Sequence, residues 1–316
     1  MVEYIQRRHR TEIEPKHLVH VGGLVPALSL ACQAVGESGD EMMTHSPVYY
    51  PFLSVAKDQS MNTLAIPQIQ DEQGKWTFDW EAMEASVTER TKLFILCSPQ
   101  NPLGRVFSEA EILKLADFCE RHDLIFVADE VHCDLIFDEG KTPFFSGLNL
   151  PESFRKRLIV LNSPSKTYNI AGLAYAYAVI FDDSLRRRFV AAKKHTQPEI
   201  NTLSFYAAEA AYKEGESWRV ELVEYLKGNY DLLRKFVDER FSGVELPAME
   251  ATYLAWLDFS GTGVKNPAKF FEEECGLYLS DGSAFGKAGC CRINFGCPRA
   301  RLEAALEKMA TAFEKA

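Results

Sequence analysis

Ser163-Pro164-Ser165-Lys166-Thr167-Tyr168-Asn169 places one lysine between small hydroxyl residues directly after the apolar run Leu158-Ile159-Val160-Leu161. A lysine amine attacks a carbonyl carbon only when neutral, and burial at a strand end disfavours its charged form. The spacing therefore fits a nucleophilic amine with hydroxyls beside it that could hold an anion. A lysine taken at random is a solvated loop residue about nine times in ten, so the segment needs support from elsewhere in the chain. Asn101 supplies some, because Ser98-Pro99-Gln100-Asn101-Pro102-Leu103-Gly104-Arg105 follows the strand-like run Leu93-Phe94-Ile95-Leu96-Cys97, where an amide could donate to an anionic oxygen. Asp129 supplies more. It closes the run Leu124-Ile125-Phe126-Val127-Ala128, and a carboxylate there could keep a heterocyclic nitrogen protonated.

An amine, an amide and a carboxylate at three strand ends need a sheet that brings those ends together. Short apolar runs at 18–21, 64–66, 93–97, 125–128, 158–161 and 176–181 alternate with longer amphipathic segments, the pattern of an α/β sheet with covering helices. Such sheets bind ligands outside the carboxyl ends of their strands. The turn Gly22-Gly23-Leu24 after the first run offers free backbone amides at a helix start, with Gly23 and Leu24 as donors to a phosphate. The stretch 207–241 has helical character, and 252–259 opens an alternating, sheet-like region.

Taken together, these segments resemble the fold-type I pyridoxal phosphate (PLP) enzymes of the aminotransferase superfamily. The closer resemblance is to the MalY/PatB branch, the cystathionine beta-lyase-like C–S lyases. It rests on Asn101-Pro102-Leu103-Gly104-Arg105-Val106-Phe107, Asp129-Glu130-Val131-His132 and Ser165-Lys166-Thr167-Tyr168-Asn169-Ile170-Ala171-Gly172-Leu173. It continues through Ala211-Tyr212-Lys213-Glu214-Gly215-Glu216-Ser217-Trp218, Ala251-Thr252-Tyr253-Leu254-Ala255-Trp256-Leu257-Asp258 and Arg292-Ile293-Asn294-Phe295-Gly296-Cys297-Pro298, nearly the whole chain.

The resemblance implies an aspartate aminotransferase-like large domain with a mostly parallel seven-stranded sheet, followed by a smaller C-terminal α+β domain. We expect residues 1–205 to form the first and 206–316 the second. It implies Lys166 as the Schiff-base lysine and catalytic base, Asp129 as partner of the pyridinium nitrogen, and Asn101 as donor to the ring oxygen with His132 close by. Ser163 and Ser165 join Gly23 and Leu24 around the phosphate. Tyr49, in Ser46-Pro47-Val48-Tyr49-Tyr50-Pro51-Phe52, stacks on the ring, while Tyr50 and Phe52 pack. Arg292 grips the substrate α-carboxylate, a task suited to the planar fork of a guanidinium.

Composition narrows the function classes. A chain of 316 residues with 47% apolar content leaves room for two domains. A net charge of −10 has the wrong sign for a nucleic-acid scaffold. Eight cysteines contain no Cys-x-x-Cys pair, so neither a metal site nor a disulfide framework is indicated, and they read as reduced cytoplasmic thiols. No apolar run approaches the roughly 18 residues of a membrane span, and the charged start lacks a signal-peptide core. The expected activity is PLP-dependent C–S β-lysis of cystathionine or related cysteine conjugates in a homodimer whose active site lies at the interface. A class I/II aminotransferase is the alternative. The chain also starts without the several tens of residues that relatives carry before the segment aligned with Tyr4, so a truncated PLP-binding homologue of weak activity is a third expectation.

Overall fold

Apolar strands separated by amphipathic helices fold into a sheet covered on both faces, in a computed structural model that describes residues 1–194 and 197–315. The strands are β1 (Leu18–Val21), β2 (Glu41–Ser46), β3 (Asn62–Pro67), β4 (Thr91–Cys97), β5 (Ile125–Asp129), β6 (Leu158–Asn162) and β7 (Ala176–Val179), in the spatial order β1-β7-β6-β5-β4-β2-β3. From β6 to β3 all neighbours run parallel, whereas β7 is antiparallel to both β6 and β1. Two reversals restore direction, so β1 ends on the same edge as β4, β5 and β6. This is the mostly parallel seven-stranded sheet expected from the resemblance.

Side chains leave each strand alternately on opposite faces. Leu93, Ile95 and Cys97 of β4 therefore join the core on one side, with Val127, Ile159 and Leu161. Phe94 and Leu96 join the other, with Phe126, Leu158 and Val160. Strand β2 escapes the hydrophobicity pattern because Glu41, Thr44, His45 and Ser46 interrupt it. Its position deep in the sheet is made tolerable locally: the Thr44 hydroxyl donates to the Ile95 carbonyl at 2.9 Å, and His45 packs against Phe78 and Phe107. Burial pulls His45 down to about 3, so it packs as a neutral ring.

The helices of eight residues or more are α1 (Val2–His9), α2 (Leu24–Val35), α3 (Glu109–Arg121), α4 (Asp183–Lys193), α5 (Thr202–Glu214), α6 (Glu216–Arg240), α7 (Pro267–Cys275) and α8 (Arg299–Phe313). Helix α3 starts at a capping box, in which Ser108 and Glu111 satisfy each other's free amides. The helical stretch 207–241 resolves into α5 and α6, broken at Gly215. A three-stranded antiparallel sheet of β8 (Leu254–Asp258), β10 (Cys290–Asn294) and β9 (Ser280–Asp281), in the order β8-β10-β9, packs with α6, α7 and α8 around a separate apolar core. Ala208 and Tyr212 of α5 belong to the large sheet's core with Phe94 and Leu96, so we propose the division at Gly215 between the helices, in place of residue 205. Among the described residues no helix is long and apolar enough to cross a membrane.

Gly104 joins the two parts. Its carbonyl accepts from the amides of Glu250 and Ala251 at 2.9 and 3.0 Å, and its φ of +66° is one that side chains avoid. A Cβ there would lie 2.8 Å from Cε of Met249 and 3.0 Å from the Ala251 carbonyl oxygen. Gly104→Ala is expected to destabilise the chain by about 1–3 kcal/mol in urea unfolding, since strain and crowding act together. A midpoint equal to that of the wild type would contradict this.

Candidate active site

The C-terminal ends of β1, β4, β5 and β6 open onto a cleft of about 280 Å³. Gly23, Leu24, Tyr49, Asn101, Asp129, His132, Ser163, Ser165, Lys166 and Arg292 all line it. Every site residue expected from the sequence is thus brought to one place, although they span the chain from the first strand to the last.

Asp129 ends β5, between Cys97 of β4 and Leu161 of β6. One oxygen accepts from the Val131 amide at 3.1 Å, and the other has no donor among the described residues. Burial pushes its carboxyl up to about 7, against the opposing pull of that amide and of Lys166. A cationic nitrogen placed beside it would restore the ionised form. His132 lies one turn on, with Nδ1 buried and unpaired. Burial, with Lys166 and Arg292 adding to it, brings His132 down to about 3, so it serves as a neutral imidazole.

Asn101 follows β4 in a turn closed by the Gly104 amide on the Gln100 carbonyl at 2.8 Å. Its Oδ1 accepts from Arg292 at 2.9 Å, which leaves its Nδ2 to donate into the cleft. Its carbonyl accepts from the Tyr49 amide at 2.9 Å, so the ring-stacking candidate and the amide donor share one anchor. Burial and the neighbouring Tyr50 hydroxyl raise Tyr49 to about 12, and its phenol stays protonated.

Gly23 caps α2 with φ +130°, and the first amides of that helix point to the cleft end without intrahelical partners. The two serines divide their work. Ser163 donates to the Tyr175 carbonyl at 2.6 Å and accepts from the Ser165 amide at 3.0 Å, so its hydrogen is spent on ordering the turn. The half-buried Ser165 hydroxyl has no such partner among the described residues and is left as the free donor. Lys166 itself is half-buried, less enclosed than the sequence leads one to expect, because the turn lifts it out of the strand end into the cleft.

Arg292 on β10 comes from the smaller sheet. Nη1 donates to Asn101, Nη2 donates to the Ser280 hydroxyl at 3.2 Å, Nε is buried without a partner, and the guanidinium lies 4.7 Å over the Phe285 ring. Among the described residues no carboxylate pairs with it. Burial lowers its proton affinity, and the nearby tyrosines act in the opposite sense. A half-buried guanidinium without a counter-ion is suited to binding an anion. Sequence reasoning missed Cys97, Tyr253 and Asn294, which also line the cleft. Tyr253 sits just before an apolar strand, and nothing local in the sequence marks it as a cleft residue.

A buried carboxylate with a free oxygen, an unpaired imidazole nitrogen, an amide donor, an aromatic face, a helix start and a lysine make a set that fits PLP. Residues 1–309 match the family described as aminotransferase class I and II. Cystathionine beta-lyase PatB of Bacillus subtilis (strain 168) is 33% identical over 317 residues, spanning 98% of this chain and 81% of its own. Among solved structures, OvoB superposes with a TM-score of 0.94 at 36% identity, covering 100% of this chain and 82% of that one. Cystalysin from Treponema denticola, which contains a PLP cofactor, does so with a TM-score of 0.94 at 27% identity, covering 99% and 80%.

The raised Asp129 leads to a stability prediction for the cofactor-free protein. An unfolded aspartate loses its proton near pH 4, whereas Asp129 keeps it to about 7 in the fold. The folded state therefore holds the extra proton between those values, and stability falls as pH rises through that window. Buried Glu130, raised to about 8, has the same sign. Asp129→Asn keeps an acceptor for the Val131 amide and removes the ionisation. It is expected to stabilise the cofactor-free protein at about pH 8 by an amount on the order of 2–4 kcal/mol, and by less at about pH 5. Urea unfolding at both values checks this; equal stability at the higher pH would contradict it.

Proposed function

Because the chain belongs to the class I and II aminotransferase family, we propose that it is a PLP-dependent C–S β-lyase. It cleaves cystathionine or a related cysteine S-conjugate to a thiol, pyruvate and ammonia. The observation that carries the reading is the meeting of Lys166, Asp129, Asn101 and the unpaired Arg292 in one cleft. Kinship with enzymes named for cystathionine beta-lysis turns that shared set toward elimination rather than amino-group exchange.

The amides of Gly23 and Leu24 at the start of α2 and the Ser165 hydroxyl would hold the cofactor's phosphate, Tyr49 would stack on its ring, Asn101 and His132 would serve the ring oxygen, and Asp129 would pair with the ring nitrogen. When bound at Lys166, the cofactor supplies an electron sink for negative charge at the Cα of the amino acid. Arg292 grips the α-carboxylate through two N–H groups and so fixes the direction of the Cα–H bond. Nζ of Lys166, freed when the amine of the amino acid takes its place, would take that proton and hold it within the cleft. The Cβ–S bond then breaks with its electron pair on sulfur, which leaves as a thiolate. The remaining three-carbon fragment takes up one water and yields pyruvate and ammonia. The amide of Val48 donates to the Phe285 carbonyl at 3.1 Å and so ties the second domain to the ring-stacking loop.

We also read the assembly as a homodimer. Leu203 and Tyr206 are exposed at 68% and 67%, and the Ser204 hydroxyl ties their helix to Leu173, which flanks the cleft-lining Ala171 and Ala174. An apolar face of this kind beside a site suits a second copy. All eight cysteines are free, which supports a reducing, cytoplasmic setting.

The test is the product pattern of the PLP-loaded protein with L-cystathionine. Pyruvate and free thiol are expected in equal amounts. Transfer of the amino group to an added 2-oxo acid, without thiol release, would replace the lyase by an aminotransferase. Lys166→Ala should lower pyruvate release by about 10²–10⁴-fold, the range that a positioned base contributes. A variant with near-normal turnover would move that role to another group.

A further inference from the structure

The segment carrying Tyr253 is held in an unfavourable backbone shape, and its phenol has no hydrogen-bond partner among the described residues. Thr252, just before it, is β-branched, fully buried and at φ +73°, a left-handed conformation that such residues avoid. The surroundings impose it. The Thr252 amide donates to the Leu135 carbonyl at 2.9 Å, and its hydroxyl accepts from the Leu254 amide at 3.2 Å. On the other side the Phe295 amide donates to the Tyr253 carbonyl at 3.0 Å. A Cβ on Gly296 would lie 3.1 Å from Cγ of Tyr253, so the bare glycine makes room for the ring. Strain of this kind persists where neighbours over-determine it, and it gathers at ligand clamps.

The ring so placed lines the cleft beside Arg292 and Asn294 and meets His132 edge-on, with centroids 6.2 Å apart. Burial dominates over the charge of Arg292 and raises the phenol, which therefore keeps its proton. Arginine has donors only. A guanidinium and a protonated phenol lining one cleft are satisfied together by an acceptor placed between them.

We propose that Tyr253 is a substrate-contacting residue whose phenol donates a hydrogen bond to the α-carboxylate held by Arg292. This rests on the reading of Arg292 given under the proposed function. The backbone strain at Thr252 and the missing side chain at Gly296 then serve to aim one donor at the carboxylate before the substrate arrives, so little ordering is left to binding.

The experiment compares wild-type and Tyr253→Phe protein, both loaded with PLP, by absorbance titration with glycine, which has the α-carboxylate but no leaving group. Tyr253→Phe is expected to bind PLP as the wild type does and to bind glycine about 10-fold more weakly, as the loss of a hydrogen bond to a charged group requires. With L-cystathionine, KM should rise by a similar factor while kcat changes less. Glycine methyl ester, which lacks the anionic oxygen, should lose much less than glycine. Unchanged glycine affinity in Tyr253→Phe, or equal losses for glycine and its ester, would overturn the proposal and leave the lyase reading intact. A wild-type protein that binds PLP but not glycine would overturn both.

Discussion

Asp129 is a carboxylate that the fold alone does not favour. It is wholly buried at the end of a strand with parallel neighbours on both sides, and a single amide donor faces it. Across the cleft the mostly buried guanidinium of Arg292 has no counter-ion among the described residues. Each would cost several kcal/mol as an isolated buried charge. Both would become favourable opposite a ligand: a protonated ring nitrogen for the carboxylate, an α-carboxylate for the guanidinium. We propose that the sheet and the smaller domain hold in place two groups whose partners arrive from solution, with the rest of the architecture as the means of holding them.

Much of that holding is done by side chains that touch no ligand. Gln100 is fully buried, and its Nε2 donates to the Pro47 carbonyl at 2.8 Å and to Gln68 at 2.7 Å. It thereby locks the turn carrying Asn101 to the loop carrying Tyr49. Arg105 reaches Glu111 at 2.6 Å and Glu250 at 3.3 Å, joining that turn to α3 and to the second domain. At the N-terminus, Tyr4 and Arg8 of α1 both bond Asp134, two residues beyond His132. A site of this kind works when its donors cannot move by more than a fraction of an ångström, and these contacts supply that rigidity.

The strands that present Asn101, Asp129 and Lys166 were legible in the sequence because the parallel core needs continuous apolar runs, and a polar residue closing such a run stands out. Strand β2 was not, since Thr44 and His45 look like solvent-facing residues until the Ile95 carbonyl and the Phe78–Phe107 cage are seen to receive them. The ordered motifs also led to Arg292, far from the others along the chain. What the sequence could not convey was the sharing of hydrogens. Ser163 and Ser165 look equivalent as residues, yet only one hydroxyl is left free once the Tyr175 carbonyl has claimed the other. Tyr253 was hidden for a related reason: its role depends on the φ of Thr252 and on space at Gly296, neither of which is a property of residue type alone.

We propose that Lys166 is the residue that holds the cofactor at this strand edge. The most direct test is to load the purified protein with PLP, reduce it with borohydride so that the cofactor stays on the lysine carrying it, and map the modified peptide by mass spectrometry. One modified peptide is expected, with the label on Lys166. A label on a different lysine, or no label after loading, would contradict it.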